Sequence, residues 1–216
     1  MGFIYGTSNI LFRGALSIFG HWEVEGSECV PPRGPVILAS NHPSNLDPPL
    51  LAVSIPRPIS YMAKPGLFAH PIASMFFKAY GAFPLDVHGR DLGAIQKSLR
   101  LLRENRVLAI FPEGTRSPNG MRKAIPGIAM IAMQSGAPIL PVGITGTEVI
   151  GPTWQVAVPK GRFKVKIGEP FSIPSLEGKI NRTHLESITT MIMDRVASLL
   201  PENYRGAYAL KNEQDN

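Results

Sequence analysis

Four short apolar runs, 36–39, Ile59–Ala63, 107–111 and 139–144, recur along this chain and leave few ways to fold it. Each has strand length and is bounded by turn-forming residues: Lys64-Pro65-Gly66 after the second, Pro112-Glu113-Gly114 after the third. Segments of helical pattern separate them. In 91–105, Leu92, Ile95, Leu99 and Leu102 form one stripe, with Gln96, Lys97, Arg100 and Arg103 on the other side. Strands that alternate with helices predict an α/β domain with a mostly parallel central sheet flanked by helices.

The remaining segments fit that plan. A short strand is expected at 81–85, another at 163–167, and helices at 67–80 and Gly127–Ser135. Residues 21–35 read as a loop ending in Pro31-Pro32-Arg33-Gly34-Pro35. Thr183-x-x-Glu186 reads as a capping box, followed by a helix whose buried stripe is Leu185, Ile188, Ile192, Val196 and Leu199. The uncharged run 124–147 is long enough to span a bilayer. Its prolines (Pro126, Pro138, Pro141) and glycines make it a buried helix followed by a buried strand instead.

Residues 1–20 carry Phe3, Ile4, Tyr5, Ile10, Leu11, Phe12, Leu16, Ile18 and Phe19, with Arg13 the sole charge. Two readings fit such a segment: a helix packed on the domain, or a helix lying in a membrane surface. Aromatic content and basic balance favour the second. The expected organisation is therefore a membrane-interface helix at 1–20 and one domain at 21–216. Arg13 follows the apolar start instead of preceding it, so no cleavable signal is expected.

Charge narrows the partners. Charged residues make up 18% of the chain and the net charge is +6, a combination that suits an anionic lipid surface. Basic residues are scattered without an aromatic-interleaved stripe, so nucleic acid is not expected. A single cysteine, Cys29, rules out an internal disulfide, and the histidines show no metal-ligand spacing. No phosphate-binding glycine pattern is present, so no resident nucleotide or metal cofactor is expected.

The chemistry-bearing residues follow the strands. His42 and Asp47 lie in Asn41-His42-Pro43-Ser44-Asn45-Leu46-Asp47-Pro48, and a loop folding back can pair them. An imidazole held by a carboxylate makes a general base; alternatively, Asp47 is only a helix N-cap ahead of Pro48. Lys64 ends the second run, and Glu113, Gly114, Thr115 and Arg116 follow the third. Arg116 can clamp a phosphate and Lys64 can supply a point charge, with Glu113 ordering Arg116 or accepting a hydroxyl proton. A surface turn with an ion pair and a solvated strand end are the plainer readings.

Taken together, these motifs resemble a known family. Asn41-His42-Pro43-Ser44-Asn45-Leu46-Asp47 and Phe111-Pro112-Glu113-Gly114-Thr115-Arg116-Ser117 are similar to the first and third signature blocks of the glycerolipid acyltransferases, of the 1-acyl-sn-glycerol-3-phosphate acyltransferase kind. Gly81-Ala82-Phe83-Pro84-Leu85-Asp86 resembles the second block and Leu140-Pro141-Val142-Gly143-Ile144 the fourth, all in family order. Two places depart: Val87 stands where an arginine is usual, with Arg90 the nearest replacement, and Ile125-Pro126 stands where a lysine is often found.

The resemblance implies a glycerol-phosphate-acyltransferase-like fold and transfer of a fatty acyl group from acyl-CoA or acyl carrier protein to a lysophospholipid hydroxyl. His42 would be the base and Asp47 its orienting acid. Lys64, Arg116 and Arg90 would face the acceptor phosphate, with Glu113, Gly114 and Thr115 shaping the site. It also implies a peripheral or monotopic location on the cytoplasmic face of a membrane. Another lysolipid or glycolipid acceptor, thioester hydrolysis, and a lipid-binding domain without catalysis are the competing expectations.

Overall fold

In a computed structural model, which describes residues 2–86, 91–174 and 181–209, the apolar runs become neighbouring strands of one sheet. Its strands are β1 (His21–Glu25), β2 (Val36–Ser40), β3 (Ile59–Ala63), β4 (Ala82–Pro84), β5 (Val107–Ile110), β6 (Ile139–Thr145) and β7 (Arg162–Ile167). Their order is β1-β7-β6-β2-β5-β3-β4, parallel throughout except for the antiparallel β6–β7 pair. Strands β2 and β5 are buried along their whole length, as strands covered on both faces must be.

Helices cover both faces. On one lie α1 (Phe3–Phe19), α2 (Asp47–Ser54) and α3 (Pro71–Ala79), with Val36, Leu38, Val107 and Ala109 pointing into their core. On the other lie α4 (Leu92–Arg103), α5 (Gly127–Ser135) and α6 (Arg182–Ser198), against Ile37, Ala39, Leu108 and Ile110. Alternate residues of one strand thus serve opposite cores, the period-two consequence of the pleat. A last turn of helix, α7 (Glu202–Arg205), leads into the segment 206–209.

Several sequence expectations are corrected. Residues 21–25 form the edge strand β1, not a loop: Trp22 and Val24 turn inward while His21, Glu23 and Glu25 stay exposed. Charges on one side are how an edge strand is kept from pairing further. The helix expected at 67–80 is divided into a 3-10 turn, Pro65–Phe68, and α3. Pro71 forces His70 into an extended conformation, so the helix restarts there. In α4 the stripe holds for Ile95, Leu99 and Leu102, which pack on the core together with the buried Ala94 and Ser98, and only Leu92 at the helix start is exposed. The capping box at Thr183 does not form. Asn181 caps α6 by accepting from the His184 amide at 2.9 Å, and Glu186 instead pairs with Arg182.

Helix α1 buries Tyr5 and Leu16, and the Tyr5 hydroxyl accepts from the Ile59 amide at 3.1 Å. Its other side leaves Phe3, Ile10, Leu11 and Ile18 open to solvent. No helix among the described residues is long and apolar enough to cross a membrane.

Candidate active site

Strands β6, β2, β5 and β3 are consecutive across the sheet, so the loops leaving their carboxyl ends stand side by side. That edge is where parallel sheets gather ligands. The β2 loop begins with Asn41, which extends the strand pairing with its side chain: Nδ2 donates to the Ile144 carbonyl and Oδ1 accepts from the Ile144 amide, both at 2.8 Å. His42 follows, fixed at its backbone.

The pairing expected between His42 and Asp47 is present. The ring Nδ1 donates to Asp47 Oδ2 at 2.7 Å, and the carboxylate is fully buried while the imidazole keeps 16% exposure. A carboxylate only accepts, so Nδ1 carries a proton, and in the neutral ring Nε2 is then the lone-pair acceptor. The ring also stacks on Phe111, with centroids 4.2 Å apart and planes at 23°. Two contacts therefore set its orientation.

Asp47 is not the helix cap that its position before Pro48 suggests. It is the first residue of α2, after Leu46, and caps no amide of that helix. Its oxygens are turned back into the loop: Oδ2 also accepts from the Ser44 amide at 2.8 Å, and Oδ1 accepts from Thr147 Oγ1 at 2.6 Å. Thr147 lies just beyond β6, and a sequence reading centred on charged and imidazole groups passes over it.

The β5 loop lies between the β2 and β3 loops, and this brings the other expected residues together. Glu113 is buried, and its two oxygens accept from backbone amides, Oε1 from His42 at 3.0 Å and Oε2 from Arg122 at 2.7 Å. The Ser117 amide returns a bond to the His42 carbonyl at 2.8 Å. Glu113 is therefore a clamp on the backbone of the histidine loop, a contact that the sequence reading, which gave it the ordering of Arg116 or the acceptance of a hydroxyl proton, did not include. Gly114 has φ +68°, a left-handed turn position, and its amide is spent on the Phe111 carbonyl at 3.0 Å.

Two expected cations follow strands on this edge. Lys64 Nζ lies 3.4 Å from Thr115 Oγ1, which joins the ends of β3 and β5. Arg116 is exposed and has no ion-pair partner among the described residues. Arg90 and Val87, the expected compensating pair, lie outside the described residues. No group of three or more His, Cys, Asp or Glu side chains among the described residues is placed to hold a metal ion. The arrangement offers an oriented imidazole on the same sheet edge as the loops that carry Lys64 and Arg116, which suits deprotonation of an alcohol carried by an anionic molecule.

The chain is similar to known proteins. The family model described as acyltransferase matches residues 21–145, from β1 to the end of β6. The 1-acyl-sn-glycerol-3-phosphate acyltransferase of Bacillus subtilis (strain 168) is 29% identical over 185 residues, covering 85% of this chain and 90% of that protein. The protein of the same name from Streptococcus pneumoniae is 29% identical over 158 residues, and there the chain spans 57% of the relative's length. The crystal structure of the 1-acyl-sn-glycerophosphate (LPA) acyltransferase PlsC from Thermotoga maritima superposes with a TM-score of 0.68 and 26% identity, over 88% of this chain and 76% of that one.

Proposed function

From the premise that this chain belongs to the acyltransferase family, we propose that it moves a fatty acyl group from a thioester donor to the free hydroxyl of 1-acyl-sn-glycerol-3-phosphate, giving phosphatidic acid. The observation that carries this reading is the 2.7 Å bond from His42 Nδ1 to the buried Asp47, which leaves the other ring nitrogen without a protein partner among the described residues. In the proposed reaction Nε2 takes the hydroxyl proton as the acceptor oxygen attacks the thioester carbonyl. The tetrahedral intermediate then expels the thiolate, and the imidazolium returns the proton to it. Attack is direct, so no serine or cysteine nucleophile is required. Acyl-CoA or acyl carrier protein serves as the donor substrate and is not a resident cofactor.

Lys64 and Arg116 are the proposed grip on the acceptor phosphate. A charge-assisted bond of this kind is worth about 1.5–3 kcal/mol, so Arg116→Ala should raise the acceptor KM by roughly 10- to 100-fold and leave donor KM alone. Steady-state kinetics with the two substrates varied separately checks this, and an unmoved acceptor KM rules the clamp out. The activity itself is tested by crossing labelled acyl-CoA and acyl carrier protein with lysophosphatidate and other lysolipids. Preference for a different lysolipid would reassign the acceptor, and equal acyl release without any lipid would make the protein a hydrolase.

The proposed place of action is the surface of a membrane, on the cytoplasmic leaflet, with α1 as the interfacial segment of residues 1–20. Phe3, Ile10, Leu11 and Ile18 are the residues proposed to enter the lipid, and Leu67, Ile72, Met75 and Phe76 extend the apolar exposure to the α3 region. The stretch 61–80 carries Lys64 and Lys78 and no acidic residue, which suits anionic headgroups. Each buried large apolar side chain contributes about 1.5–3 kcal/mol, so Ile10→Glu with Leu11→Glu should weaken vesicle binding at least about tenfold. Co-sedimentation with anionic vesicles measures it; undiminished binding would remove α1 from the interface.

A further inference from the structure

We propose that Thr147 is a positioning residue for the His42–Asp47 pair, held in place by Tyr204 of the C-terminal segment. The proposal rests on the activity argued above, but its geometry is independent of the substrate. Asp47 is entirely buried, and a buried carboxylate is tolerable only when each oxygen is hydrogen-bonded. Oδ2 has the His42 ring and the Ser44 amide, whereas Oδ1 has a single donor among the described residues, the Thr147 hydroxyl at 2.6 Å. Without that donor Oδ1 is left unsatisfied in a buried site and only the Oδ2 bonds fix the carboxylate plane, so the hold on the imidazole loosens.

Thr147 is itself fully buried, and the turn that carries it is tightly specified. Gly146 has φ +85°, and a Cβ there would lie 2.0 Å from the Arg162 carbonyl oxygen, so only glycine admits this close approach. The Gly146 amide donates to the Tyr204 hydroxyl at 3.1 Å, and that hydroxyl donates to Glu148 Oε1 at 2.5 Å. Burial and the bond to Glu148 push the Tyr204 phenol above its usual range, which keeps it a donor. Tyr204 thus grips the residues on either side of Thr147. Its carbonyl also accepts from the Met121 amide at 2.9 Å, next to Arg122, whose amide meets Glu113. One residue near the end of the chain therefore braces both loops that hold His42, although α7 lies more than 150 positions away from it.

The test compares Thr147→Val, Thr147→Ser and Tyr204→Phe in the full chain, with thermal melts to establish folding. Thr147→Val should lower kcat by about 10- to 100-fold with both KM values within about twofold, while Thr147→Ser, which keeps the hydroxyl, stays within about threefold of the parent. Tyr204→Phe should give a smaller loss of the same kind and add little to Thr147→Val. The His42 Nδ1 proton resonance provides a readout free of substrate: it should shift or broaden in the valine variant and hold in the serine one. An unchanged kcat and resonance in Thr147→Val, a loss confined to KM, or a serine variant as impaired as the valine would overturn the proposal. Absence of acyl transfer in the parent protein would refute the activity instead, and the resonance comparison would still decide the role of Thr147.

Discussion

His42→Ala is expected to lower kcat for acyl transfer by about 10²–10⁴-fold, with substrate KM values little changed. The alanine removes the Nε2 acceptor, while the loop that carries it is held by bonds the substitution does not touch. The His42 amide still meets Glu113, its carbonyl still meets Ser117, and Asp47 keeps the Ser44 amide and the Thr147 hydroxyl. The fold should therefore survive and the loss should be chemical. Asp47→Asn should cost a comparable factor, because an amide can donate to Nδ1 and so favour the tautomer whose Nε2 carries the proton. Groups that act as a unit are not additive, so the double variant should be no worse than about the poorer single one. Steady-state rates of purified variants decide this. A histidine variant within about tenfold of the parent would end the general-base assignment.

Glu113→Ala should have the largest effect on the fold. Two backbone amides, those of His42 and Arg122, lose their acceptor in a partly buried loop, at about 1–2 kcal/mol each. In a domain of this size that corresponds to a fall in Tm of roughly 5–15 °C, with activity lost as well because the histidine backbone is released. Glu113→Gln keeps one carbonyl oxygen and should fall between. If Glu113 served only to order a phosphate-binding arginine or to take a proton, activity would fall with the melting temperature unmoved. Calorimetry beside an activity assay separates the two roles.

Much of the fold can be read from local pattern. The apolar runs at 36–39 and 107–111 and the stripe in 91–105 depend on residues a few positions apart, and those interactions survive in any tertiary context. Where the local signal is diluted, the structure departs from it. His21–Glu25 alternates polar and apolar residues but has only two apolar ones, Trp22 and Val24, to mark it, and Pro71 divides a segment whose hydropathy is continuous. Asn181 and Thr183 are both good helix caps, and a single side-chain bond to the His184 amide chose between them.

The candidate site divides along the same line. By itself the sequence determined that His42 and Asp47 share one short loop that can fold back to pair them, and left a helix cap as the other reading of Asp47. It also determined which residues follow strands, and hence which ones a parallel sheet would present at its carboxyl edge. Only the tertiary structure decided that β5 inserts between β2 and β3, which sets Glu113 against the His42 amide and Thr115 against Lys64. It alone decided that β6 flanks β2 and hands Thr147 to Asp47. The physical reason is that strand order follows from how whole faces pack and how crossovers run. The partners it creates are often backbone amides, which every residue but proline carries and no sequence pattern marks.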